Sequence, residues 1–153
     1  GFMQNKIAVF HEICRLWNEK QDVAGVLQHL TEDVVWHYAA AIKPPVEGKA
    51  AAEKFLQGMV ALVARSHWRV FEYAENGDFL FIEGVDEFTS NDGKHVQTPY
   101  MGVLQFRGDK ICAWRDYFDN QLLQQTLAGE AVPVFVSQLM SRPALSSKTE
   151  PAL

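Results

Sequence analysis

The chain has 153 residues, of which 48% are hydrophobic and 22% are charged, and its formal net charge is −5. This length and balance predict one globular domain and argue against a disordered chain. The basic residues are scattered, so no positive face that could neutralise nucleic-acid phosphates is predicted. No apolar run approaches the roughly eighteen residues of a membrane span, and no signal peptide is recognisable. The two cysteines, Cys14 and Cys112, have no metal-ligand spacing around them, and a reducing cytoplasmic location is expected.

The N-terminal part of the sequence has the spacing of amphipathic helices. Apolar residues recur with a period near 3.6, and Asp22 is suitably placed to cap a second helix that runs to Leu30. The expected elements are helices over 6–20, 22–30 and 49–64, a turn at 31–33 and a short strand over 34–38.

After residue 65 the hydrophobic period changes to two, which indicates strands. Asn-Gly, Asn-Asp-Gly and Gly-Asp sequences separate these segments and are typical of hairpin turns. The expected strands cover 67–74, 79–89, 96–107 and 110–119, and a short helix covers 121–127. Helices followed by an antiparallel meander predict an α+β fold, a curved antiparallel sheet wrapped on helices. The domain is expected to span 1–141, with a flexible tail rich in Pro, Ser and Ala over 142–153.

Two aspartates stand in otherwise apolar strand faces. Because side chains alternate along a strand, the face neighbours are Leu80, Ile82, Gly84 and Phe88 for Asp86, and Cys112, Trp114 and Phe118 for Asp116. A carboxylate among apolar groups raises its pKa, finds a partner or lines a wet cavity. The pair therefore predicts a site for acid–base chemistry. The alternative is a structural role in which a nearby Trp, Tyr or Arg satisfies each carboxylate.

The histidines are weaker candidates for site residues than the two aspartates. His37 precedes Tyr38 on the short strand, so only one of these two side chains can face a pocket. The five histidines show no spacing of a metal site, and neither a metal nor another cofactor is predicted.

The hexapeptide WRDYFD at 114–119, with the segments 102–106 and 108–111 before it, resembles the closing hairpin of limonene-1,2-epoxide hydrolase-like proteins. Residues 83–86 resemble the preceding strand of that family, and 34–48 resemble its pocket-rim loop. The chain is thus similar to the SnoaL-like and limonene-epoxide-hydrolase-like branch of the nuclear transport factor 2-like superfamily. The resemblance implies a cone-shaped single domain around one small-molecule pocket.

The resemblance also implies roles for individual residues. The hydrolases of this family use an Asp–Arg–Asp set together with a Tyr and an Asn. On this sequence the water-activating aspartate falls on Asp116, the acid on Asp86 and the tyrosine on Tyr38. Gly84 stands where the bridging arginine would be, and Ala40 stands where the asparagine would be, so the full hydrolase set is not present.

The expected function is acid–base catalysis, of isomerase, cyclase or hydrolase type, on a small apolar oxygen-bearing molecule. The alternative is a non-catalytic module of the same fold that binds a ligand or a protein. The expected ligand-binding wall consists of Trp36, Leu80, Ile82, Phe88, Trp114 and Phe118. A homodimer is expected through the outer sheet face, on residues such as Phe79, Phe81, Val103 and Tyr117.

Overall fold

A computed structural model describes residues 5–145, which form a curved sheet and helices. Each helix within that range is too short or too polar to serve as a membrane-spanning segment. In chain order the elements are α1 (Lys6–Lys20), α2 (Val23–Leu27), β1 (Leu30–His37), β2 (Val46–Glu47), α3 (Lys49–Leu62), β3 (Val63–Asn76), β4 (Phe79–Ser90), β5 (His95–Arg107), β6 (Lys110–Phe118), α4 (Asn120–Leu127) and α5 (Val134–Leu139).

The strands form one unclosed sheet in the order β2-β1-β6-β5-β4-β3. Strands β3 to β6 make an antiparallel meander, as the alternating pattern and the glycine-containing turns predict. β2 is also antiparallel to β1, whereas β1 runs parallel to β6. The predicted single-domain α+β fold with a curved sheet is confirmed, with one parallel pair inside it.

Local capping fixes the two N-terminal helices. The Asn5 side chain accepts a hydrogen bond from the Ile7 amide (3.0 Å) and begins α1, and Gln21 ends α1 in the left-handed conformation (φ 47°). Asp22 accepts a hydrogen bond from the Gly25 amide (2.9 Å) and begins α2. The buried side chains of α1, Phe10 and Trp17 among them, then fill the concave side of the sheet.

The prediction that the second helix reaches Leu30 and ends in a turn at 31–33 is wrong. The helix ends at Leu27, and Leu30 already begins β1, which pairs with β6 at Ile111. Leu30 and Val34 are both fully buried, so burial in the sheet outweighs the local turn propensity of the residues between them. The register shift between Leu30 and Val35 accommodates those residues.

Helix α5 was not predicted, and it covers part of the outer sheet face. Val136 and Met140 pack on Phe71 and Val85, which lie on the convex side of β3 and β4. All four side chains are buried. A second small core therefore lies on the face of the sheet opposite the main core.

The packed structure also extends past the predicted domain end at 141. The Arg142 guanidinium pairs with Glu83 (3.1 Å) and lies over the Phe71 ring, 4.6 Å from its centroid. Leu145 is buried in the main core cluster. Residues 142–145 are thus part of the folded body, and the remaining predicted tail, 146–153, lies outside the described residues.

Candidate functional site

The concave side of the sheet encloses a cavity of about 560 Å³. Side chains of α1, β1 and α3 form one wall, and the inward faces of β3 to β6 form the other. The mouth lies between the end of α3, the turn at 90–92 and helix α4, where Leu123 and Leu127 face inward one helical turn apart.

Most of the predicted site residues lie on this cavity. Asp86 and Asp116 both line it, from strands on either side of β5. The other predicted residues in the wall are Tyr38, Trp36, Phe88, Trp114 and Phe118.

Leu80 and Ile82, which were predicted in the wall, are not among its lining residues. Both are fully buried in the closed part of the core, packed in one cluster with residues of α1. Strand alternation correctly gives their face, but it carries no information on where along the strand the interior is filled and where it is open. The start of β4 lies at the filled end.

Asp116 lies opposite Gly102 of β5. Its Oδ1 is 2.7 Å from the position that a Cβ of Gly102 would occupy, so the absent side chain makes room for the carboxyl group. Burial, assisted by the nearby Asp86 charge and opposed by a hydrogen bond from Trp114, raises the pKa of Asp116 to about 8. The Trp114 Nε1–H group donates that bond to Oδ1 over 3.3 Å.

Asp86 lies between Trp68 of β3 and Thr98 of β5 in the sheet register. Burial raises the pKa of Asp86 to about 6, and hydrogen bonding with the Trp68 side chain opposes the rise. Its Oδ1 has no hydrogen-bond partner among the described residues. The cavity wall, over the same part of the chain, contains no lysine, arginine or histidine. The two carboxylates therefore share a cavity whose described wall supplies no cation to either of them.

Tyr100 is a site residue that the sequence analysis did not select. It pairs with Gly84 across the sheet, and its hydroxyl oxygen is 2.9 Å from the position that a Cβ of Gly84 would occupy. Burial, together with the charges of Asp116 and Asp86, raises the pKa of Tyr100 well above its ordinary value, so the phenol keeps its proton. A phenol hydroxyl thus stands at the strand position where the resemblance implied an arginine.

Tyr38 and Ala40 lie near the end of β1. The Tyr38 ring packs on Phe55 of α3 (centroids 4.4 Å apart), and His37 is not among the lining residues. The Ala40 amide donates a hydrogen bond to the backbone oxygen of Asp116 (3.0 Å). This contact places residue 40 beside the aspartate, but its methyl side chain cannot hold a water molecule.

The described residues offer no metal centre, because no group of three His, Cys, Asp or Glu side chains within 5–145 could hold an ion. The geometry supports a different use of the site. The apolar cavity holds three titratable groups: Asp86 with the lower pKa, Asp116 with the higher pKa, and the protonated phenol of Tyr100. This arrangement is suited to taking a proton from one atom and donating hydrogen bonds to another.

Solved structures share this fold. A protein of unknown function from Burkholderia pseudomallei, described as NTF2-like, is 19% identical over 83% of this chain and 100% of that one, with a TM-score of 0.71. An LEH-like epoxide hydrolase of M. tuberculosis is 20% identical over 90% and 96% of the two chains, with a TM-score of 0.70. A protein from Shewanella denitrificans, described as a putative SnoaL-like polyketide cyclase, is 13% identical over 82% and 98%, with a TM-score of 0.72.

At these identities the likeness establishes the fold alone. The sequence itself matches the SnoaL-like domain over residues 10–114, a range that includes most of α1, all of β5 and the first residue of the WRDYFD segment. That match covers more than half of the chain, and the chain therefore belongs to the SnoaL-like domain family.

Proposed function

We propose that the cavity is the active site of an enzyme that moves a proton at a carbon atom next to a carbonyl group. The substrate is a neutral, largely apolar molecule with one oxygen placed at the deep end of the cavity. The observation that carries this proposal is the pair Asp86 and Asp116, two carboxyl groups of raised pKa in one aromatic cavity whose described wall has no cation.

The order of the two pKa values supports a division of roles between the aspartates. Near pH 7, a pKa of about 6 leaves Asp86 mostly ionised, whereas a pKa of about 8 leaves Asp116 mostly protonated. Asp86 accepts the proton from carbon, and the Asp116 and Tyr100 hydroxyl groups donate hydrogen bonds to the oxygen that becomes negative. Asp86 then returns the proton to another carbon of the same molecule. This assignment reverses the roles that the resemblance implied for the two aspartates.

Carbonyl chemistry is favoured over epoxide hydrolysis by two residues. Gly84 provides no guanidinium to hold two ionised carboxylates together, and Ala40 provides no amide to position a water molecule. Two neutral hydroxyl donors, by contrast, suit an oxygen that gains negative charge. Structural neighbours include a putative cyclase and an epoxide hydrolase, so the fold is compatible with either reaction.

The test is hydrogen exchange at carbon. A panel of neutral cyclic ketones is incubated with the protein in D₂O, and deuterium at the carbon next to the carbonyl is measured by NMR. The Asp86→Asn variant should lose at least about a hundredfold in rate, because the general base is gone. Asp78→Asn is the matched control, since Asp78 is exposed in the turn between β3 and β4 and does not line the cavity.

Two results would contradict the proposal. One is exchange that survives in the Asp86→Asn variant. The other is ketone binding to the wild-type protein without any exchange, which would support the non-catalytic ligand-binding alternative.

We also propose that the protein is a homodimer through the outer sheet face. Neighbouring strands present exposed apolar side chains there, with exposed fractions of 36% for Phe81, 54% for Met101 and 47% for Tyr117. Helix α5 covers only part of this face, and its own outward residues Val134 and Phe135 are more than 70% exposed. Contiguous apolar surface of this kind is typical of an interface.

A further inference from the structure

The charge of the cavity wall is one-sided. Among the described residues that line it, Asp86, Asp92 and Asp116 carry carboxyl groups, and none is basic. At the mouth, Lys94 pairs with Asp92 (3.2 Å). On β3, the strand neighbour of cavity-lining Trp68 is Arg69, which faces the other side of the sheet and pairs with Glu87 (3.4 Å). The two deep carboxyl groups are therefore not neutralised by a described side chain of the wall.

The remainder of the wall is largely aromatic. The Trp36 and Trp114 rings stack, with centroids 4.3 Å apart and an interplanar angle of 17°. Phe55 meets the Trp36 ring edge-on at 5.2 Å, and Trp68 meets the Trp114 ring edge-on at 6.2 Å. The faces of such rings carry partial negative charge and attract cations within roughly 6 Å of their centroids.

Asp86 also has an unsatisfied carboxylate oxygen. Its Oδ1 is enclosed and has no partner among the described residues, and the Thr98 hydroxyl opposite it on β5 is likewise unpartnered there. A carboxylate oxygen without a donor is costly away from bulk water. Because Asp86 lines the cavity, a rotation of its carboxylate group presents an oxygen to a ligand, and a positively charged N–H group would satisfy that oxygen with a charge-assisted hydrogen bond.

We infer that the cavity binds organic ammonium ions with apolar substituents, with the N–H group donated to Asp86 and the substituents against the aromatic wall. This inference goes beyond the proposed function, because such a ligand needs neither a carbonyl group nor proton transfer. A neutral molecule of the same shape gains only the apolar contact. An anion of the same shape meets like charge and has no basic side chain to pair with in the described wall.

A series of ligands that differ mainly in charge tests this inference. The probes are protonated N,N-dimethylbenzylamine, benzyltrimethylammonium, neopentylbenzene and phenylacetate, and tryptophan fluorescence reports binding because Trp36, Trp68 and Trp114 line the cavity. The two cations should bind at least about tenfold more tightly than neopentylbenzene, and phenylacetate most weakly. Dimethylbenzylammonium should bind more tightly than the quaternary ion, because only it can donate a hydrogen bond.

Variants separate this inference from the proposed function. Asp86→Asn should lose the preference for cations while its affinity for neopentylbenzene stays. Asp78→Asn should behave as wild type, because Asp78 is exposed in the turn between β3 and β4 and does not line the cavity. Asp116→Asn should keep the preference for cations even though the proposed acid is gone. Equal affinity of the wild type for cation and neutral isostere, no binding of either cation, or a cation preference that survives in Asp86→Asn would each overturn the inference.

Discussion

At the scale of single residues, the site depends on two glycines as much as on two aspartates. A Cβ at Gly102 would lie 2.7 Å from Oδ1 of Asp116, and a Cβ at Gly84 would lie 2.5 Å from the backbone oxygen of Arg69. The Tyr100 ring occupies the space that these two positions leave open. Position 84 therefore has no room for an arginine in this packing. The Tyr100 phenol from the neighbouring strand occupies the space that a side chain at position 84 would need.

This packing predicts that Gly84→Ala is destabilising. The added methyl group meets the Arg69 backbone and the Tyr100 hydroxyl, so the strands must shift, at a cost of about 1–3 kcal/mol in the free energy of unfolding. Gly58→Ala is the matched control, because a Cβ there meets nothing within 4 Å on an exposed part of α3. That change should stabilise the protein by about 0.5–1 kcal/mol through helix propensity. Denaturant unfolding of both variants gives the comparison, and equal stability of Gly84→Ala and wild type would refute the packing argument.

The raised pKa of Asp116 predicts a pH-dependent effect of Asp116→Asn. Unfolding lowers this pKa from about 8 to its ordinary value of 3.8, so between these pH values the folded protein holds a proton that the unfolded chain has lost. Stability contributed by this group consequently falls as pH rises through that window. Asp116→Asn should be more stable than wild type at the upper end of the window, and this advantage should shrink toward pH 4.

Denaturant unfolding at several pH values measures this difference. Asp92→Asn serves as a control of opposite sign, because Ser90 and Lys94 lower the pKa of Asp92 and its ionised form is the favourable one. An Asp116→Asn variant whose stability parallels that of wild type at every pH would show that the folded protein does not hold the additional proton.

At the scale of elements, the meander was predictable because its signals are local. Period-two patterning and glycine-containing turns fix β4, β5 and β6 without knowledge of their partners. The same alternation places Asp86 and Asp116 on one face. It also places Tyr100 on that face. A tyrosine in a strand fits a role in the core as well as a role in a site, and only the pairing of Tyr100 with Gly84 identifies it as a site residue.

The remaining elements depend on contacts that are distant in sequence. Residues 31–33 are held in the strand by the pairs that β1 makes with β6 on either side of them, at Leu30 and Val35, some eighty residues from their partners in the chain. Helix α5 has only six residues and too short a periodic pattern to stand out, and it is held by burial of Val136 and Met140 on the convex side of the sheet. Isolated helices of this length are not stable in water, so tertiary packing supplies most of its stability.

The role of α5 predicts a contrast between its two faces. Val136→Ala and Met140→Ala each remove contacts to Phe71 and Val85, and Met140→Ala should cost about 2–5 kcal/mol in the free energy of unfolding, with Val136→Ala at the lower end. Val134, on the outward face of α5, is 71% exposed, and Val134→Ala should change stability by less than about 0.5 kcal/mol. Thermal and denaturant unfolding measure both, and similar small effects on the two faces would mean that α5 is not docked in solution.

At the scale of the whole molecule, the two faces of the curved sheet differ in what covers them. The concave face is closed by α1 and α3 and keeps a cavity, whereas the convex face is covered by α5 only near Phe71 and Val85. What is left is an apolar surface on the middle strands, flanked by a helix that is itself apolar on its outward side. The site and the proposed interface thus lie on opposite faces of one sheet, whose convex face is covered only in part by the chain's own helices.

The proposed homodimer predicts that a charge in the middle of the convex face separates the subunits. Met101 and Tyr117 are register partners on β5 and β6 and are 54% and 47% exposed, so they stand near the centre of the apolar surface. A stable interface buries at least about 1,000 Å² in total, and a buried glutamate without a partner would remove much of its stability. Sedimentation velocity at micromolar concentration should therefore show a dimer for wild type and a monomer for Met101→Glu, with the folded state checked by circular dichroism.

Val60→Glu, a change on α3 away from the sheet, should remain dimeric, because it adds the same charge outside the apolar surface around Met101 and Tyr117. A monomeric wild type, or a Met101→Glu protein that stays dimeric, would place the interface elsewhere or nowhere.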